Sequence, residues 1–433
     1  MAGRHSGEAF VKKTVKTILR ALTLLGMATV VLVLSGLGLL LIARQALKPV
    51  PGEWATSLRV GSATVEVGVP SLIWLGTTPW VSAMLDGHSL PTRAGRIHMR
   101  WQVESETLEL RCSPCSIPAR GLGVEAFRID EARLSVRRRG SHLEGSLSSG
   151  NLVAAWHGTL SPQALNLKFN LPASPIRDGY ALFASVIPEV RQATISGSFG
   201  FSATLALPSG NYTLKPHVDG FSVQGLGTAT FMGARSTCSA GLRKSRLSTD
   251  SLLARAVLAA EDQRFFEHAG FDLVEFTSAF QRNQREGQIE RGASTLSQQL
   301  ARLLITGSER TPTRKLRELL YAVEMEQTLG KARILRLYLD NAPWGDGICG
   351  ADAAARQYFG LRAQELDAGQ AVWLAAMLHN PAMEAHQWAT TGQINVARAQ
   401  WVATGLRPML RSEREELSKS LTEVVWPIPA LGQ

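Results

Sequence analysis

The chain has 433 residues, of which 45% are apolar and 19% charged, and it carries a formal net charge of +10. This composition excludes a disordered polymer and leaves room for two or three domains. The positive surplus favours anionic partners such as a lipid surface or a phosphorylated substrate. Nucleic acid is set aside, because no nucleic-acid motif and no basic run interleaved with aromatics is present.

In chain order, residues 1–20 hold Arg4, Lys12, Lys13, Lys16 and Arg20 and read as a cytoplasmic tail. Residues 21–43, ALTLLGMATVVLVLSGLGLLLIA, contain no charged side chain. That length suffices for a helix to cross a hydrocarbon core of about 30 Å. Only Arg44 and Lys48 follow closely, so the positive-inside rule expects a single-pass inner-membrane anchor with the remaining chain outside. The run is too long for a cleaved signal peptide and lacks a small-x-small cleavage site. Lys48, Pro49, Val50, Pro51 and Gly52 read as a stiff linker.

Residues 53–233 are expected to form a β-rich extracytoplasmic domain. Leu165, Leu167, Phe169 and Leu171 alternate with polar residues, as do Ile195, Phe199, Phe201, Ala203, Leu205 and Leu207. Period-two alternation puts apolar side chains on one face of a sheet. Trp101 with Val103, and Leu108 with Leu110, are weaker instances. Arg137, Arg138 and Arg139 are read as a solvated turn. Cys112 and Cys115 form a C-x-x-C with no second such pair and no thioredoxin-like surroundings. Outside the membrane this favours a local disulfide over redox chemistry or half a zinc site. Cys238 and Cys349 are read as free or unrelated to it.

From Ser248, Thr249 and Asp250, a helix-start signal, the periodicity becomes helical as far as about residue 412. Residues 413–433 are read as a tail. In the stretch 256–272, AVLAAEDQRFFEHAGFD, an apolar run ends in Glu261 and Asp262 among aromatics. In STLSQQLARLL, Leu296, Leu300, Leu303 and Leu304 form an apolar stripe. Thr295, Gln298 or Gln299, and Arg302 share another face. The next helix, expected over 314–329, places Arg314 and Glu318 four residues apart with Lys315 beside them. Residues 302–336 hold more basic than acidic side chains, which suits a pyrophosphate. Gly345, Gly347 and Gly350 then mark a tight loop before a helix opened by Ala353, Ala354 and Ala355.

The segments EDQRFFEHAGFD, GASTLSQQLAR, RKLRELLYAVEME and YLDNAPWGDGICGADAAARQYFG occur in this order within about one hundred residues. Together they closely resemble the four signature motifs of family-51 glycosyltransferases, the peptidoglycan transglycosylase domains of class A penicillin-binding proteins and their monofunctional relatives. The resemblance covers residues 247–381 and not the β-rich region. It implies a multidomain protein whose C-terminal domain is mainly α and lysozyme-like, on the periplasmic side. It implies lipid II and the growing lipid-linked glycan as substrates, with the membrane as partner. No transpeptidase domain is expected, since little chain follows Pro381.

By the same resemblance, Glu261 stands at the general-base position and Glu318 at the second carboxylate, acting near the donor pyrophosphate. Asp262 and His268 match positions that shape the site. Phe265 and Phe266 are expected to form an aromatic wall that dehydrates Glu261 and raises its pKa. Arg302, Arg314 and Lys315 match cationic positions. Ser294, Thr295, Gln298 and Gln299 belong to the substrate-binding set through sugar or phosphate oxygens. No cofactor is required, though a divalent cation (Mg or Mn) at Glu318 is an option. Phe271, Leu273, Val274, Phe276 and Phe280 match a stretch that dips toward the bilayer. Two departures stand out. Arg302-Leu303 replaces the usual Lys-Asn, and Asp340 replaces the asparagine of Tyr-Leu-Asn. Other cell-wall synthesis proteins are the partners expected of the β-rich domain. The rival readings are a glycan-cleaving lysozyme-like enzyme and a catalytically impaired scaffold.

Overall fold

The structure, a computed structural model, describes residue 45 and residues 48–60, 63–118, 126–233, 247–286, 294–309, 311–345 and 347–424. The apolar run 21–43, the basic residues before it, Cys238 and residues 425–433 lie outside the described residues. Among the described residues no helix is long and apolar enough to cross a membrane.

The β-rich region opens with a two-stranded hairpin, β1 (Ala55–Val60) and β2 (Ala63–Gly68). Two short helices follow, α1 (Val69–Gly76) and α2 (Pro79–Leu85). Each carries a proline in its first turn, where a missing N–H leaves no bond unmade. The remaining strands are β3 (Ser89–Thr92), β4 (Gly95–Gln102), β5 (Thr107–Pro118), β6 (Ala126–Ile129), β7 (Ala132–Arg139), β8 (His142–Ser149), β9 (Leu152–Leu160), β10 (Leu165–Pro175), β11 (Thr194–Leu207) and β12 (Asn211–Gln224). They form one antiparallel sheet in the order β12-β11-β10-β9-β8-β7-β5-β4-β3, with β6 paired to β5 off this path. Helices α3 (Ile176–Ala181) and α4 (Glu189–Gln192) interrupt the meander between β10 and β11.

Burial follows the alternation in the sequence. In β10, Leu165, Leu167, Phe169 and Leu171 are the withdrawn residues and Asn166, Lys168 and Asn170 the exposed ones. Val103 departs from its expected strand and lies exposed in the turn after β4. Arg137, Arg138 and Arg139 are not a turn but the end of β7. The turn falls one residue later, at Gly140, whose φ of 61° an L side chain resists. Cys112 and Cys115 are disulfide-bonded as expected. Cys349 is also disulfide-bonded, which corrects its reading as free. Spacing along a chain exposes only local pairs.

The helical half comprises α5 (Leu252–Glu261), α6 (Leu273–Glu286), α7 (Leu296–Ala301), α8 (Pro312–Thr328), α9 (Gly330–Asn341), α10 (Ala351–Phe359), α11 (Ala368–Met377), α12 (Pro381–Thr391), α13 (Val396–Gly405) and α14 (Arg411–Ser420). Helix α5 starts slightly later than expected, with Ser251 as its N-cap accepting from Ala254 N. The helix expected over 294–304 ends at Ala301 and continues as a π-helical turn, Arg302–Thr306. Helix α14 crosses the boundary expected at 412, and the buried Leu421 joins the tail to the helical core. Helix α11 runs through the middle of that core. Every residue from Ala371 to Met377 is buried, and α5 and α13, which bury Ala256, Ala259, Ala260, Ala399 and Ala403 in the same core, pack against it.

The two halves share a second core. Ile176, Tyr180, Ile187, Ile195 and Val223 of the β-rich region bury Leu320 and Val323 of α8. Phe221 on β12 meets Phe271 with ring centroids 5.6 Å apart. Arg317 pairs with buried Glu189 at 2.7 Å, and Tyr321 Oη donates to the same carboxylate. Glu324 accepts from Leu226 N at 2.7 Å and Thr228 N at 3.1 Å.

Candidate active site

Glu261 is the last residue of α5. The small buried side chains behind it, Ala256, Ala259 and Ala260, let α5 lie close to α11 and carry the carboxylate into a largely dry position. Its Oε2 accepts from Gln299 Nε2 at 3.0 Å and its Oε1 from Arg398 Nη2 at 3.3 Å. Tyr338 Oη donates to Gln299 Oε1 at 3.0 Å, which turns the amide nitrogen toward Glu261. Burial raises the Glu261 pKa, opposed by the Gln299 hydrogen bond and by the charges of Arg398 and His379. Burial, together with the Glu261 charge, also holds the Tyr338 phenol well above its usual range.

The dehydration does not come from the expected aromatic wall. Phe266 is 65% exposed, and Phe265 is buried in the helical core beneath Lys331 Nζ, 4.3 Å from the ring centroid. Glu261 is withdrawn from water at the end of a helix whose buried face packs against α11 and α13.

Asp262 and His268 serve the frame. Asp262 caps α5 with its backbone, and its Oδ2 accepts from Leu296 N at 2.8 Å. His268 Nδ1 accepts from Gly270 N, so Nε2 carries the proton and donates to Asp262 at 3.0 Å. A Cβ at Gly270, where φ is 93°, would come within 2.9 Å of the Ala322 carbonyl on α8. The loop after Glu261 is thereby clamped to both α7 and α8.

Thr295 and Gln298 form a reciprocal cap. Thr295 Oγ1 accepts from Gln298 N and donates to Gly270 O, while Gln298 Oε1 accepts from Thr295 N. The buried Thr295 hydroxyl is therefore committed to the fold. Of the polar residues expected on this helix, Gln299 is the one that reaches Glu261.

The second carboxylate lies beyond the start of the same helix. Glu318 is 1% exposed. Arg314 Nη1 holds its Oε1, and Lys315 Nζ lies 3.0 Å from its Oε2. Lys315 Nζ also donates to Ser294 Oγ at 2.6 Å. Burial lowers the Lys315 pKa against the pull of Glu318, and the charges of Arg314 and Arg302 lower it further. The charge of Arg302 reaches Tyr338 as well. Arg302 is thus near enough to both Lys315 and Tyr338 for its charge to act on each. Ser294, just ahead of the N-cap of α7, is beside Lys315, and Gln299, within α7, is beside Glu261, so one short stretch of chain touches both carboxylate clusters.

Both oxygens of Glu318 face cations, and among the described residues no three His, Cys, Asp or Glu side chains gather as a metal centre. This surrounding does not fit Glu318 as a ligand in a protein-built metal site. Arg398, which touches the Glu261 carboxylate, belongs to α13 and to none of the quoted motifs. His379, near enough to act on Glu261, follows α11 and also lies outside the four quoted segments.

Residues 243–406 match a family model described as Transglycosylase. The chain is 47% identical over 129 residues to the biosynthetic peptidoglycan transglycosylase of Laribacter hongkongensis, covering 30% of this chain and 57% of that protein. It is 46% identical over 129 residues to the protein of the same description from Nitrosomonas eutropha, covering 30% and 53%. With that of Stutzerimonas stutzeri it shares 41% identity over 177 residues, covering 40% and 71%. The chain thus spans little more than half the length of the first two relatives and most of the third.

Proposed function

The chain belongs to the transglycosylase family, and on that premise we propose that it polymerises lipid II into β-1,4-linked glycan. The observation that carries the reading is the pair of carboxylates tied to the two ends of α7, one dehydrated and one held by cations. Glu261 accepts the proton from the 4-hydroxyl of the acceptor sugar as that oxygen attacks the anomeric carbon of the donor. The α-linked polyprenyl pyrophosphate departs from the opposite face, and configuration inverts. Gln299 and Arg398 favour the ionised form of the base against the burial that raises its pKa. Arg314 and Lys315, oriented by Glu318, and Arg302 meet the charge that develops on the pyrophosphate. The lipid tail of the substrate places the reaction at the outer surface of the inner membrane, with residues 21–43 as anchor.

Cleavage of a glycosidic bond releases no pyrophosphate and would leave the Arg314, Lys315 and Glu318 cluster without a task. Incubating the purified full chain with labelled lipid II should yield a glycan ladder. Glu261→Gln should lower its rate by about 10²–10⁴-fold. The wild-type rate should climb with pH through the raised pKa of Glu261, since only the ionised form accepts the proton. Digestion of preformed glycan with no polymer made would favour the hydrolase. Unchanged cell-wall function with Glu261→Gln in the cell would favour the scaffold.

A further inference from the structure

The α1–α2 hairpin lies in the β-rich region. Residues 69–85, VPSLIWLGTTPWVSAML, carry no charged side chain. On the inner side Ile73 packs against the sheet core of Leu143, Trp156 and Leu165, and Ser82 is fully buried. Away from the sheet core Trp74 is 52% exposed, Trp80 62% and Met84 69%.

Three of the hairpin hydroxyls are turned onto its own backbone. Thr77 Oγ1 donates to Ile73 O, Thr78 Oγ1 to Trp74 O and Ser82 Oγ to Gly76 O, at 2.7, 2.8 and 2.9 Å. Thr77 N and Thr78 N bond Ile73 O and Leu75 O, and the hydroxyls satisfy the Trp74 and Gly76 carbonyls, so the end of α1 is closed without water. A surface facing lipid requires this and one facing solvent does not. At its rim the Arg138 guanidinium sits 5.0 Å over the Trp74 ring and donates to Thr77 Oγ1 at 2.7 Å. An arginine beside exposed tryptophan suits the phosphate level of a bilayer.

The tether fixes the distance. Glu53 accepts from Val50 N through Oε2 and from Ser71 N and Oγ through Oε1, at 2.9, 2.9 and 2.7 Å. Val69 N donates to Trp54 O at 2.8 Å. The chain arriving from residues 21–43 is therefore fastened to the first turn of α1. From residue 43 to residue 50 an extended chain reaches at most about 25 Å.

We propose that the Trp74, Trp80 and Met84 edge of the α1–α2 hairpin seats in the headgroup–acyl boundary of the bilayer that holds the anchor. This inference rests on the membrane reading above. It gives the β-rich region a lipid-facing side of its own, on an element that carries neither Glu261 nor Glu318.

The test uses the full chain reconstituted in phosphatidylethanolamine–phosphatidylglycerol vesicles whose acyl chains carry bromine near the headgroup. Residues 21–43 contain no tryptophan, so quenching reports on the rest of the chain. The wild type should be quenched, and Trp74→Ser/Trp80→Ser should lose most of the quenched component. Met84→Glu, which keeps both indoles, should reduce their quenching by lifting the edge from the lipid. Lipid II polymerisation in detergent, retained by these variants, would show that the fold is intact. A chain that sediments with vesicles but whose quenching is indifferent to the substitutions would overturn the inference alone. A chain that fails to sediment with vesicles would overturn the membrane reading beneath it. Crosslinking between copies through this edge, in place of quenching, would assign the edge to a second copy and also overturn the inference.

Discussion

Glu318 and Glu324 sit on one helix, almost equally withdrawn from water, and are satisfied in opposite ways. Six residues at about 100° each set them on different faces of α8. Glu318 faces the site and is held by Arg314 and Lys315. Glu324 faces the β-rich region and accepts two backbone N–H groups. A carboxylate among flexible cations orders a charge cluster that an incoming phosphate can join. A carboxylate on backbone donors fixes the position of one element against another and offers nothing to a ligand. The difference teaches that burial of an acid does not by itself mark a site. The identity of its donors does.

That contrast can be broken or sharpened. The largest effect is expected at Glu318→Gln. The amide cannot hold both Arg314 and Lys315, and polymerisation should fall by about 10²–10³-fold. An equal loss with Glu324→Gln would erase the distinction. Glu324→Ala should instead act on stability. It leaves Leu226 N and Thr228 N without their acceptor, at about 1–3 kcal/mol each. Denaturant unfolding should show the loss, with turnover per folded molecule near wild type. Arg317→Ala should cost about 1–3 kcal/mol by stranding buried Glu189. Partial exposure of the arginine keeps this below the value for a fully enclosed pair. Adding Glu189→Gln should recover part of that loss in a double-mutant cycle. The smallest effect is expected at Thr295→Ala, about 1 kcal/mol from the lost cap, with KM for lipid II unchanged. A large rise in KM would return Thr295 to the substrate.

Much of this was readable from residues alone. The alternation of β10 gave the sheet face, and the ordered motifs brought Glu261 and Glu318 to attention. The Thr295–Gln298 pair was also readable, but through a different rule. Threonine followed three residues later by glutamine, just as Leu296 and Leu300 begin an apolar stripe, is a reciprocal helix cap. Seeing the same residues as one polar face hid it. Arg398 was hidden for another reason. It meets Glu261 from 137 residues away, on a helix whose own pattern reports only core packing. The same distance problem concealed Glu189 and Glu324, whose partners lie about one hundred residues off or more. Phe265 and Phe266 misled because adjacent aromatics point in different directions at a short 3₁₀ turn, Phe265–Glu267, and only one of them enters the core.

The shared core beneath α8 constrains how this protein can be dissected. Cutting away residues 53–233 would bare Leu320, Val323 and the Glu324 carboxylate, and would remove the ring that covers Phe271. Such a truncated chain would carry a sticky wound on the back of the helix whose front holds Arg314, Lys315 and Glu318. Its silence in an assay would report injury, not the dispensability of what was removed. The contribution of the sheet has to be read by single side chains at the seam, with both halves left in place.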